Sequence, residues 1–310
     1  MTSRRDFLTQ AGLVAAALVT LPSLKGLVAA GKVANAGGAT AAHAAGKGVC
    51  GLQLYSLRDQ LPKDPQTWIA KVAQAGYKNV ETYGLSSDSK FFGVDTKAFK
   101  ALLDQNHLFS TSGHYGVDEY LAKGTDHDLG LAIDAVHALG QKYLTVPYLG
   151  DQFRKTEADW VKVAGQFNDL AKKLKKEGIQ MAYHNHNFEF VPVNVQTRGY
   201  DLLLKHTDPE LVHFEMDLYW VVRGGADPVQ LFHEHPGRFV MWHVKDMNKT
   251  TPSLNTEVGT GSIDFVKIFK YHTLSGEQQT FMEQENYAEG MDPFTSIAQS
   301  AAYIKNKLLV

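Results

Sequence analysis

The chain is predicted to be α/β: a single (β/α)8 barrel preceded by a signal peptide. Three observations predict it. Short apolar runs of strand character alternate eight times with longer helical patterns over about 260 residues, the size of a barrel made of right-handed β–α units. Four of the later runs, IQMAYHNH, LVHFEMD, RFVMWHVKD and QQTFMEQE, carry His184, Asp217, His243 and Glu283 at their ends. A parallel barrel builds its active site from side chains at the carboxyl ends of its strands. Finally, the first β–α turn, Leu54-Tyr55-Ser56-Leu57-Arg58, lacks the glycines that a doubly wound open sheet carries there.

Taken in order, the strands are expected at 49–55, 79–83, 109–114, 143–147, 179–186, 212–217, 239–244 and 280–285. Helices are expected between them at 65–75, 96–106, 117–139, 157–177, 200–206, 228–235 and 263–272, with a closing helix at 293–308. Asp64-Pro65 and Asp227-Pro228 each set an N-cap acceptor before a proline at the first helical position. Gly76, Gly140 and Gly178 follow helical runs, where a left-handed cap favours glycine. This is the TIM-barrel pattern, and no second domain is indicated.

Of the 310 residues, 44% are hydrophobic and 21% charged, and the formal net charge is −2. That balance offers nucleic acid or an anionic membrane no basic surface. The one cysteine, Cys50, excludes an intramolecular disulfide and sits in the strand-like run VCGLQLY as a small buried residue. At the N-terminus Ser3-Arg4-Arg5-Asp6-Phe7-Leu8 precedes the apolar stretch 11–21, too short to span a membrane as a mature helix. It resembles a twin-arginine export signal, with small-x-small cleavage sites at Val28-Ala29-Ala30 and Ala34-Asn35-Ala36. The expected organisation is a signal peptide over 1–36, a linker over 37–47 and a barrel over 48–310. The expected partners are the twin-arginine export machinery and a small carbohydrate. The expected location is the periplasm, with no membrane association of the mature form. The sequence leaves the oligomeric state open.

Beside the four strand-end residues lie His186, Glu215, Lys245 and Glu285, each two positions away and so on the same face of an extended strand. Two histidines and two carboxylates suit one borderline divalent ion, manganese first and cobalt or zinc as alternatives, better than magnesium or calcium. Glu189 is the alternative to His184 as fourth ligand. Such an ion polarises a carbonyl and stabilises the enediolate left when a neighbouring C–H proton is removed. Glu283, Glu285 or His186 would be the base, Lys245 would offset the developing charge, and His114 joins these catalytic candidates. Tyr55, Glu81, Glu189, Trp220, Arg223 and Glu285 are the expected substrate contacts, with Tyr148 as a further wall. For Glu81, pairing with Arg58 is the structural alternative. The loops Arg223-Gly224-Gly225 and Gly259-Thr260-Gly261-Ser262 are read as turns before helices, with anion cradling as the other reading.

The segments GLQLYSLRD, VETYG, YHNHNFEF, EMDLYWVVRGGADP, WHVKD, GTGSIDF and FMEQE resemble the xylose-isomerase-like TIM-barrel superfamily, the sugar phosphate isomerase/epimerase group, over nearly all of the chain after the signal. The resemblance implies one divalent metal held by Glu, Asp, His and Glu from strands five to eight. Asp217, His243 and Glu283 fall on three of those places, and His184 stands where the epimerases carry a glutamate. It implies first a metal-dependent sugar isomerase or epimerase using enediolate chemistry. The alternatives are a lyase or hydrolase that cleaves 3-keto-glycosides by α-proton abstraction and β-elimination, and a non-catalytic periplasmic sugar-binding barrel. Export also weighs against a phosphorylated substrate.

Overall fold

The computed structural model describes residues 49–125 and 127–309. The expected signal peptide and linker, 1–47, lie outside them. Eight parallel strands close on themselves: β1 (Cys50–Gln53), β2 (Asn79–Thr82), β3 (Phe109–His114), β4 (Tyr143–Val146), β5 (Gln180–His184), β6 (Val212–Asp217), β7 (Phe239–Val244) and β8 (Gln279–Met282). Each pairs with its neighbour in sequence, and β8 returns to β1 through Cys50–Thr280, Gly51–Phe281 and Leu52–Met282. The register sets Asp217 beside His243 and His184 beside Glu215, so candidate ligands from separate strands meet at one end of the barrel.

The strands are buried on both faces. Tyr143, Ala182, Met241 and Phe281 fill the barrel, while Trp160, Phe167, Phe214 and Trp242 pack between strands and helices. Cys50 is buried, and burial pushes its thiol up to about 12. Among the described residues no helix is long and apolar enough to cross a membrane.

Three expectations are corrected. The helix expected over 117–139 is two, Asp118–Lys123 and His127–Leu139, because Gly124 takes a left-handed conformation (φ 69°) and ends the first. Strand pairing stops short of the predicted ends. Gln53 turns the chain into a 3-10 turn by accepting from the Tyr55 N–H, β5 ends at His184, and Glu283 follows the last residue of β8. His186, Lys245 and Glu285 are therefore loop residues rather than strand neighbours of their partners. An extra helix, Leu218–Arg223, also starts directly after β6, capped by Asp217 itself through the Trp220 N–H (2.8 Å).

The loop Gly259-Thr260-Gly261 does cradle an anion, but the anion is the chain's own Asp246. That carboxylate accepts from the N–H groups of Met247, Gly259, Gly261 and Ile263 at 2.8–3.2 Å. A Cβ on Gly261 would collide with the Asp246 carboxyl and the Met247 carbonyl. Gly261→Ala should therefore cost about 1–3 kcal/mol, read as a lower urea midpoint at unchanged slope. A midpoint equal to that of the wild type would show that the loop can move aside.

Candidate metal centre and substrate cleft

The end of β5 presents His184 with a fixed tautomer. Its Nδ1 lies 3.3 Å from the Pro147 carbonyl, and only an Nδ1–H can donate there. Nε2 is thereby left with its lone pair, buried and without a hydrogen-bond partner, 3.5 Å from Asp217 Oδ2. Asp217 is divided in its own way, since Oδ1 caps the helix after β6 while Oδ2 lies 2.8 Å from the Lys245 ammonium. Asn185, between the two histidines, accepts from the Asp217 N–H and donates to its carbonyl, tying the tops of β5 and β6 together. The strand alternation that turns His184 inward turns Asn185 outward, which is the signal that could have identified it.

His243 completes the pattern from β7. Its Nε2 is 2.6 Å from Glu81 and 3.2 Å from Glu215, while Nδ1 is 3.1 Å from Glu283 and 3.9 Å from Asp217. With Nε2–H donated to Glu81, Nδ1 faces Asp217 and Glu283 as a second lone pair. Ligand atoms of His184, Asp217, His243 and Glu283 all lie within 4.8 Å of one another. This N2O2 set, with the buried and unpartnered Nε2 of His184 aimed at Asp217 Oδ2, fits a divalent transition-metal ion. Lys245 is the internal counter-charge, 2.8 Å from Asp217 and 2.7 Å from Glu283, and it also meets Glu285.

Electrostatics follow from this packing. Burial opposes the Asp217 charge, but Lys245 and His184 outweigh it and hold the carboxyl at about 2. Against the same penalty, Lys245 and His243 hold Glu283 well below the carboxylate range. Burial opposes a charged His243, yet Glu215 and Glu283 draw a second proton onto it, and a cation would take that proton's place at Nδ1. Burial also disfavours charge on Lys245, but Asp217, Glu283 and Glu285 keep it protonated.

A second group, Glu81, His114, Glu215 and His243, converges beneath the first. It reads as hydrogen-bonded support rather than as another cation site. Glu81 already accepts from Gln53 (2.8 Å) and Ser112 (2.6 Å), and His243 could serve a second ion only by losing both ring protons. His114 donates to Glu215 at 2.8 Å, and the two glutamates, against the effect of burial, raise it to about 9. A carboxylate behind a metal-facing histidine fixes its orientation and basicity.

The cleft above occupies about 630 Å³. Of the residues expected from the sequence, Tyr55, His114, His184, His186, Glu283 and Glu285 line it, as does Tyr148. Burial and the nearby His184 keep His186 neutral, its ring stacked on Phe188 at 9°. Asp217, His243 and Lys245 lie behind this surface. Glu81 is fully buried, does not reach the cleft and pairs with His243 rather than Arg58. Glu189 is absent from both clusters. It accepts from the Tyr183 hydroxyl and the His186 N–H, and burial raises it to about 7. Trp220 is half-buried outside the cleft lining, donating to Glu285 at 3.2 Å, and Arg223 is exposed at the far end of its short helix. The helix after β6 turns Arg223 to solvent but keeps Trp220 behind the cleft wall, its ring 5.6 Å from that of His186. Sequence reasoning missed the walls contributed by Tyr83, Tyr115 and Leu131, which follow β2 and β3 and have no periodicity that marks a cleft.

A closed (β/α)8 barrel with an N2O2 cluster where its later strands end defines a barrel scaffold fitted to hold a metal ion. The chain belongs to the family described as xylose isomerase-like TIM barrel, whose model matches residues 69–306. It is similar to an inosose dehydratase of Geobacillus kaustophilus (strain HTA426), 26% identical over 78% of this chain and 79% of that one. A sugar phosphate isomerase/epimerase from Parabacteroides distasonis ATCC 8503 superposes with a TM-score of 0.75 at 30% identity, covering 86% of this chain and 96% of that one. A zinc-bound IolI protein shares the fold, with a TM-score of 0.64 at 12% identity over 83% of this chain and 97% of that one.

Three outcomes are expected. Asp217→Ala should abolish manganese binding in calorimetry while far-UV circular dichroism stays that of the folded barrel. Glu81→Gln should weaken manganese about 10–100-fold without comparable loss of stability. Glu189 stabilises the fold while protonated, a contribution complete below its unfolded pKa and lost as pH rises through about 7. Wild-type stability should therefore fall by on the order of 3 kcal/mol relative to Glu189→Gln between about pH 5 and about pH 8. Parallel stability curves would refute the last assignment.

Proposed function

We propose that the chain is a metal-dependent lyase-type enzyme acting on a keto-sugar, with a 3-keto-glycoside as its substrate class and His184, Asp217, His243 and Glu283 as the metal ligands. The observation that carries this reading is the imidazole of His184 at the fourth ligand place. Among the described residues it leaves Glu283 and Glu285, both on the β8 side, as the cleft carboxylates beside the metal cluster, while Asp118, Glu119 and Asp128 stand on the outer rim. Epimerisation by two facing carboxylates has no second partner here. Elimination needs a base on one side and a proton donor on the other.

A bound divalent ion supplies Lewis acidity toward a ketone and a neighbouring hydroxyl. Glu283 or Glu285 takes the proton from the carbon next to the ketone. Lys245, buried against both, balances the negative charge that then develops. The electron pair released moves into the ring as the bond to the β-linked oxygen breaks. His114, from a strand three places round the barrel from β8 and held protonated by Glu81 and Glu215, lines the cleft where that oxygen leaves and can return its proton, while the neutral His186 lines it as well. The dehydratase name of a relative at 26% identity supports elimination from a keto-sugar. The isomerase/epimerase name of the relative at 30% identity supports isomerisation as the second reading. The export read from Arg4-Arg5-Asp6-Phe7-Leu8 remains part of the proposal, and it places the enzyme in the periplasm.

The purified protein with manganese should release the aglycone from a 3-keto-glucoside, and EDTA should stop it. Glu283→Gln should lower kcat by about 10²–10⁴-fold. Interconversion of ketose and aldose without aglycone release would overturn the lyase reading in favour of the second.

A further inference from the structure

The cleft extends well beyond the metal cluster. Only His184, His186, Glu283 and Glu285 among its walls come from β5 to β8 and the loops after them. The remainder is built by the loops after β1 to β4 and by the helix His127–Leu139. Its 630 Å³ falls within the range of about 300–1,000 Å³ typical of pockets that enclose a whole small-molecule ligand. We propose that this outer lobe is a second subsite, that it holds the group expelled from the keto-sugar, and that it accepts an uncharged ring and rejects an anion. Only the identity of the expelled group rests on the lyase reading.

The walls are apolar and aromatic, formed by Tyr83, Leu85, Tyr115, Leu131 and Ala132. Tyr55 meets Tyr83 edge-on at 5.0 Å and 85°, and Tyr55 and Tyr148 stay 40% and 46% exposed at the mouth. Flat aromatic surface kept in water beside a cavity suits stacking on a ring. Tyr83 is backed by Phe92 and Phe92 by Phe99, so this wall is packed rather than loose.

Charge sets the second half of the inference. Among the described residues no lysine or arginine lines the cleft, whereas Asp118, Glu119 and Asp128 stand on it. Glu119 is paired with Lys123 at the surface (3.2 Å), which leaves the rim acidic overall. The two helices that begin here already carry these carboxylates in their first turns, so their N-terminal ends have no pull left for a ligand anion. A phosphate or carboxylate on the outer group would meet like charge with no lysine or arginine among the lining residues to pair it.

Calorimetry with unoxidised glucosides, which have no ketone and cannot turn over, reads the lobe without the chemistry. Phenyl glucoside should bind the manganese-loaded protein at least about tenfold more tightly than methyl glucoside. 4-Carboxyphenyl glucoside should lose most of that gain. Leu131→Trp should erase the phenyl advantage and leave methyl glucoside within about twofold. Leu85→Trp, from the opposite loop, carries the same expectation should the first variant fail to fold. Equal binding of methyl and phenyl glucosides, no measurable phenyl glucoside binding, a carboxylate tolerated without penalty, or variants that weaken both glucosides alike would each overturn the subsite. Discrimination without cleavage of the 3-keto derivatives would sink the lyase reading and leave the subsite standing; cleavage without discrimination would do the reverse.

Discussion

The His243 ring, clasped between two pairs of carboxylates, is the constraint on which the site depends. Glu81 and Glu215 hold one nitrogen from below, and Asp217 and Glu283 face the other. The lower pair decides the tautomer and so decides which lone pair the upper pair sees. Glu81 is in turn fixed by Gln53 of β1 and Ser112 of β3, and Ser112 meets Thr145 of β4. A single imidazole thus reports on the closure of half the barrel. His184 follows the same logic with fewer parts, since one backbone carbonyl, that of Pro147, leaves its outer nitrogen bare.

Lys245 shows why such a cluster can be buried at all. Three carboxylates within reach of one ammonium would be prohibitive to desolvate singly, and an ammonium alone would be equally so. Together they retain a net charge of −2, which a divalent ion would cancel. A divalent ion bound by Asp217 and Glu283 would share their oxygens with this lysine, leaving Lys245 free to follow charge as it moves onto a substrate oxygen.

How much of this was legible in the sequence depended on the range of the contact. The eight strands and the four strand-end residues were readable because apolar runs ending in a polar residue are local patterns. The end of the first helix after β3 was missed because Gly124 lay inside an otherwise continuous helical pattern, and only its backbone angle reveals the break. Glu81 reads as a substrate contact, with Arg58 across the first two strands as its alternative partner, whereas its actual partner, His243, is 162 residues away. Glu189 looked like a ligand from its spacing, but its 3-10 turn aims it back at Tyr183. Asp246 was unreadable for the opposite reason. A loop that looks built for a foreign anion gives no hint in its sequence that the anion is its own.

The cation-binding side chains descend from the later strands, and the roomy part of the cavity from the earlier loops. An ancestor could therefore have exchanged one half's vocabulary without rewriting the other's. Drift confined to the wall residues of those loops, with Glu81 and His114 kept, would reshape the cavity while the side chains clasping His243 stayed as they are.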